Sequence, residues 1–318
     1  MRSIFRFRDR DGKGVEKGED TTPNLKYFFK LFRRKLSSLL SLNILMLFQV
    51  LPIVIGVLAY LYASKTPSQT SAVFAPVYGV SLIDSSATTS LLLALHGVPL
   101  GIPTFHNASY WIIGACVVFF VLTIGWQSAG SSYVLRGLVR GDAVFVFSDY
   151  FYAIRRNFKQ AFLYGLIDTV ICLALLVDFL YYQSRVGAFW QDVMFWIITA
   201  LTLLYLIMRP YIYLMLVTFR MKIRKMFKNA LIFSALGIKR NFMAVLGIVL
   251  LLAVHVVLIV ALLPYGIAIP VIIPVVYLVA AIGFIITYAA YPIIDRYMIA
   301  PYVTKTEDEN ADTEAQSE

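Results

Sequence analysis

Long apolar runs alternate with short polar segments along most of this 318-residue chain. Six of the runs cover residues 36–62, 110–135, 161–183, 193–217, 242–263 and 271–294. A bilayer core roughly 30 Å thick is crossed by about 20 residues in helix. Inside lipid the backbone must satisfy its own hydrogen bonds, which makes each run a helix. The pattern predicts an all-α polytopic membrane protein with about six transmembrane helices.

Between the runs the spacing changes. Leu25, Phe28, Phe29, Phe32 and Leu36 recur at helical intervals, with Lys26, Lys30, Arg33 and Arg34 on the other side. That predicts a helix lying in the membrane interface, its apolar face in the acyl chains and its cations among anionic headgroups. Phe151, Ile154, Phe158 and Phe162, beside Arg155, Arg156 and Lys159, repeat the design after a helix cap expected at Ser148 or Asp149. Ile223, Met226, Phe227, Ala230 and Leu231, among Lys222, Arg224, Lys225 and Lys228, repeat it again. The strings FRRKL (32–36), IRRNF (154–158) and IKRNF (238–242) align the three segments into a threefold repeat: basic interfacial helix, span, turn, returning span. Arg156 and Arg240 are 84 positions apart and Arg34 and Arg156 are 122 apart, the excess being close to the extra length of the first connection. The competing explanation is that every helix entering the inner leaflet needs a basic flank.

Charge placement sets orientation. Every Lys and Arg except Lys65, Arg185 and Arg209 falls on one side when both termini are cytoplasmic, as the positive-inside rule requires. Hydrophobic residues make up 60% and charged residues 14%, outside the soluble range. The net charge of +10 therefore points to anionic lipids of the inner leaflet and not to nucleic acid. The organisation expected is a disordered cytoplasmic tail (1–24), a transmembrane domain (25–303) and an acidic cytoplasmic tail (304–318), in the plasma membrane. The connection 63–109, rich in Ser and Thr, is the long outer loop, and Asn107-Ala108-Ser109 beside it is a glycosylation triplet by pattern. The charged segment before the first span suits a start-transfer anchor better than a cleaved leader.

Polar groups inside the spans each need a reason, since an ionisable side chain there costs about 2.5–3.5 kcal/mol. Asp168 and Arg209 fall at matching depth, roughly 10 Å inside by helical rise, in two spans joined by a tight turn. They are the candidate intramembrane pair, read either as a neutralised lock on the hairpin or as an anion-binding or titrating element on a solute path. Arg209 also precedes Pro210, whose helix kink frees a carbonyl for the guanidinium. Asp178 lies by the outer interface, His255 is a hydrogen-bonded packing residue, and Asn43, Gln49 and Gln127 are interhelical hydrogen-bonding groups. Cys116 and Cys172, without a C-x-x-C pair, are small packing residues. No H-E-x-x-H, P-loop or G-x-S-x-G string occurs, so no catalytic, cofactor or metal site is expected and the chain reads as a non-enzyme.

The stretch RGDAVFVFSDYFYAIRRNFKQAFLYGLID, from Arg140 to Asp168, resembles the signature region of the YesL family of bacterial integral membrane proteins. Residues 42–53, 210–232 and 291–301 are similar in the same way; the loop 63–109 has no counterpart. The resemblance implies a multi-pass protein of undefined activity that assists carbohydrate uptake or utilisation, with a transporter permease as partner. Phe147, Ser148, Asp149, Arg155, Arg156 and Lys159 form the candidate docking segment. The alternative is a small-solute transporter or channel with a polar path near Asp168 and Arg209, against which stands the scarcity of polar residues in the spans.

Overall fold

The computed structural model describes residues 22–61, 64–67, 101–104, 107–184, 187, 189–262, 265 and 269–302. Among the described residues nine α-helices follow one another: α1 (Leu25–Arg34), α2 (Leu36–Leu61), α3 (Asn107–Arg140), α4 (Val146–Arg156), α5 (Phe158–Gln183), α6 (Phe189–Thr218), α7 (Ile223–Leu236), α8 (Ile238–Leu262) and α9 (Ile269–Ile294), which runs into a π-helical turn, Asp295–Ile299. Six of them, α2, α3, α5, α6, α8 and α9, are long and apolar enough to cross a membrane. The expected all-helical membrane architecture is present. Among the described residues its one departure is a ribbon between the ends of the long connection, where Ser64–Pro67 pairs antiparallel with Gly101–Thr104. The rest of that connection and the expected disordered tails lie outside the described residues, apart from Thr22–Asn24 and Asn107–Ser109.

The chain forms two compact units. The smaller, Val50–Phe120, holds the far half of α2, the ribbon and the start of α3, with Gly56 against Cys116. The larger, Met1–Gln49 with Val121–Glu318, contains both of the candidate sites described below. Its buried core lies at one end, the end that collects the basic residues. Hydrogen bonds join the helix termini there: Lys35 Nζ to Asp142 O at 2.7 Å, Arg136 Nη1 to Thr218 Oγ1 at 2.9 Å, Gln160 Nε2 to Met221 O at 2.6 Å. The last turns of α6, Tyr211–Val217, are entirely buried in this layer, as are Leu138 of α3 and Phe284 of α9. Away from it the long helices turn apolar side chains outward; Val249, Leu250, Val256, Val257 and Val260 of α8 are all more than half exposed. Such a surface suits hydrocarbon.

Each short basic helix passes into a long one through a single residue. Lys35, Asn157 and Gly237 each donate their amide to the carbonyl four residues back (Leu31, Ala153, Phe233) and accept from the amide four residues on (Leu39, Ala161, Asn241). The residues four before and four and seven after each junction are buried in all three cases. The element order thus reads as three units of short helix and helical pair. The third unit aligns on Gly237, however, one helical turn before the register that IKRNF suggests. Arg240 sits inside α8 instead of ending a short helix, and its guanidinium explains why: Nη2 and Nε reach Tyr288 O (3.1 Å) and Ala289 O (3.2 Å). These are the carbonyls one turn before Pro292, which supplies no amide to Tyr288.

The apolar face of α1, expected in the acyl chains, is packed in part on protein. Asn24 caps it through a 2.8 Å bond from Tyr27 N, Tyr27 and Leu31 are buried, and Phe28 and Phe32 pack on Phe284 of α9 with centroids 5.5 and 5.7 Å apart. Phe28 and Phe32 are thus spent on protein. Leu25 and Phe29 alone of the expected stripe stay more than 60% exposed.

Asn43, fully buried in α2, inserts its carboxamide into the ladder of α9, donating to Val275 O (2.8 Å) and accepting from Ala280 N (3.0 Å). Those two groups are five residues apart, so one side chain ties α2 to two successive turns of α9. Asn43→Leu removes both bonds and is expected to cost about 2–4 kcal/mol, seen as a lowered thermal midpoint of the detergent-solubilised protein. Gln127 does not act likewise; its Oε1 is buried without a partner.

Candidate functional site

Two features bring chemistry-bearing residues together, and both belong to the larger unit. In the first, Asp168 of α5 is completely buried and paired with Arg209 of α6: Nε lies 2.8 Å from Oδ2 and 3.0 Å from Oδ1. The hydroxyl of Tyr205 donates to Oδ1 at 2.7 Å and that of Tyr213 to Oδ2 at 2.9 Å, while the Cys172 thiol lies 3.7 Å from Oδ1. Every acceptor position of the carboxylate is engaged. A third phenol, Tyr164, packs edge-on against Tyr213 with its hydroxyl unpartnered.

Helical spacing builds this centre. Tyr164, Asp168 and Cys172 stand four apart on one face of α5, and Tyr205, Arg209 and Tyr213 four apart on the facing side of α6. The sequence signals the two charges; their aromatic partners read as ordinary packing, and only the shared spacing of four marks them. The guanidinium meets Asp168 and does not turn to a carbonyl freed by Pro210. The Cys172 thiol touches the carboxylate, so it is more than a packing group. By contrast Asp178 is exposed near the far end of α5. His255 is satisfied by Leu251 O (2.7 Å) and the Tyr277 hydroxyl (2.8 Å) and borders an apolar cavity of about 200 Å³ with Leu258, Leu262 and Ile273. Among the described residues no three His, Cys, Asp or Glu gather as metal ligands.

The second feature is the segment from Arg140 to Lys159. At Gly141, φ is +82°, a left-handed conformation that glycine adopts freely. It lets Asp142 N reach Gly137 O (3.0 Å) and Gly141 N reach Leu138 O (3.1 Å), closing α3 in a Schellman turn. Lys35 then holds Asp142 O, and burial beside Arg34 lowers the Lys35 ammonium pKa from its ordinary value. The next helix begins at Val146, earlier than a cap at Ser148 or Asp149 allows. Asp149 serves the cap from within the first turn, accepting Phe145 N at 2.9 Å.

Helix α4 divides into two faces. Val146, Tyr150 and Ala153 are buried, Tyr150 so tightly that a Cβ on Gly130 of α3 would lie 2.8 Å from its ring. Phe147, Ser148, Phe151, Tyr152, Arg155, Arg156 and Lys159 are exposed. Six candidate docking residues thus separate into five that face outward and Asp149, which is engaged by the backbone. Phe151 and Tyr152, outside that candidate set, complete the outward face. Downstream, Trp126 of α3 donates to Phe158 O (3.0 Å) and stacks on Phe158 and Phe162, fixing the entry into α5. Below that contact α3 and α5 cross at Gly125 and Gly165, where a Cβ on Gly165 would lie 2.5 Å from Gly125 Cα.

Residues 107–179, which include Asp168 and all of α4, match a family model described as "Protein of unknown function, DUF624". No curated protein and no solved structure matches the chain.

Proposed function

We propose that this chain is a non-enzymatic plasma-membrane protein, both termini cytoplasmic, that serves as an accessory component of a carbohydrate uptake system and engages a transporter permease through α4. The observation that carries the reading is the two-faced build of α4: one side is anchored in the core by Val146, Tyr150 and Ala153, and the other offers three aromatic rings beside two arginines. Aromatic and Arg side chains held rigidly at a surface are the usual anchors of protein interfaces. The carbohydrate context rests on the YesL-like stretch from Arg140 to Asp168, which falls within the matched residues 107–179. Placement of the basic end in the cytoplasm rests on the positive-inside rule.

The transporter alternative has less support. Asp168 is sealed from any path and fully hydrogen-bonded, as in a lock between helices. Gentle detergent extraction from native membranes, followed by mass spectrometry, tests the docking reading. A permease or saccharide-binding protein is expected at near-stoichiometric amounts, and Phe147→Ala with Phe151→Ala should reduce its recovery about tenfold or more while leaving the thermal midpoint unchanged. Recovery of the chain alone, or equal recovery with the variant, would reject it.

A further inference from the structure

Arg209 spends one edge of its guanidinium on Asp168 and leaves the other free. Only Nε reaches the carboxylate; among the described residues Nη1 and Nη2 have no acceptor, and the side chain is 29% exposed. Its charge is compensated but four N–H donors are not, a costly state beside hydrocarbon. The position explains which way that edge faces. Arg209 stands at the rim where α6 leaves the buried stretch Tyr211–Val217 and turns Leu206 and Leu203 outward, 52% and 57% exposed. The free edge therefore opens on the lipid-facing surface and not into the core.

Depth is compatible with a headgroup. Twenty residues of α6 separate Arg209 from Phe189, which with Trp190 presents exposed aromatic rings of the kind found at a membrane interface. At ~1.5 Å per residue that is about 30 Å, one hydrocarbon thickness. Counted from the other end, Thr218 is nine residues away, about 13 Å, within reach of a lipid phosphate drawn toward an arginine. A guanidinium edge presents paired N–H groups in the geometry that phosphate oxygens accept.

We infer that the free edge of Arg209 is a binding site for the phosphate of an anionic phospholipid seated against α5 and α6, with Asp168 orienting the guanidinium from behind. This site is separate from the outward face of α4 and does not depend on the docking reading.

The test uses the full-length protein in neutral detergent with phosphatidylglycerol added in graded ratio, bound lipids counted by native mass spectrometry and the thermal midpoint followed in parallel. Arg209→Lys keeps a cation for Asp168 but has no second edge. Wild-type protein is expected to retain one phosphatidylglycerol about tenfold more tightly than this variant, the scale of one charge-assisted bidentate contact. Arg155→Gln with Arg156→Gln should shed weaker lipids and keep that one. Should Arg209→Lys fail to fold, Asp168→Asn with Arg209→Gln gives the same readout with a neutral centre. Equal retention in the folded variant overturns the inference. So does inorganic phosphate alone reproducing the stabilisation, since the site would then take a free anion and not a lipid.

Discussion

Arg209→Gln is expected to be the most damaging single substitution in the membrane-embedded part of the chain. It leaves Asp168, which has no exposed surface, with three neutral donors and no cation. Removing one partner of a buried pair costs about 3–5 kcal/mol, because the survivor stays charged where water cannot reach it. Asp168→Asn should cost less. The surviving guanidinium is partly exposed and can lean outward, while two tyrosine hydroxyls lose their carboxylate. The double variant should recover most of the loss, since neither charge remains. Monodisperse yield and thermal midpoint in detergent, measured across the four proteins, check the order; a double variant no better than Arg209→Gln would reject a structural pair.

The second large effect belongs to the crossing of α3 and α5. Gly125 and Gly165 bring the two backbones into contact, and a methyl group on either overlaps main-chain atoms of the partner helix. Small residues at such a crossing permit an approach that no side chain tolerates. Gly165→Ala would force the helices apart and loosen Trp126 from Phe158 O along with them. Since the clash is with backbone, no rotamer change relieves it, and a loss of about 3 kcal/mol or more is expected. The same substitution at Gly114, with nothing within 4 Å, should leave the thermal midpoint unchanged or slightly raised, because Ala is the better helix former.

What the sequence made readable followed from two strong physical constraints. Apolar length fixed the six long helices, and two opposite charges at matched depth in adjacent spans fixed the pairing of Asp168 with Arg209. Features governed by packing were not readable in the same way. The face of α1 was amphipathic enough to suit an interface, yet Phe28 and Phe32 are taken up by α9, because an apolar stripe fits a helix surface as well as it fits lipid. The repeat register failed at the third unit for a chemical reason: IKRNF copies the letters of IRRNF, but Arg240 is committed to the carbonyls preceding Pro292, and the junction falls at Gly237 instead. At Gly237 a Cβ would meet the Tyr211 hydroxyl at 2.5 Å, which glycine alone avoids. Asn43 was visible as a polar residue in a span, but that it bonds backbone groups of α9 is a property of the partner helix.

The junctions at Lys35, Asn157 and Gly237 bear on mechanics. A short helix joined to its successor by a loop would swing freely, and a load on it would dissipate in the linker. Here one residue intervenes, with an unbroken main-chain bond on either side. Such a joint is expected to act as a stiff elbow, so that a load on the outward face of α4 would reach α5 through Asn157, at the end closest to the Gly125–Gly165 crossing. The third joint would couple α7 to α8 and, through the bonds of Arg240, to the carbonyls of α9 that precede Pro292.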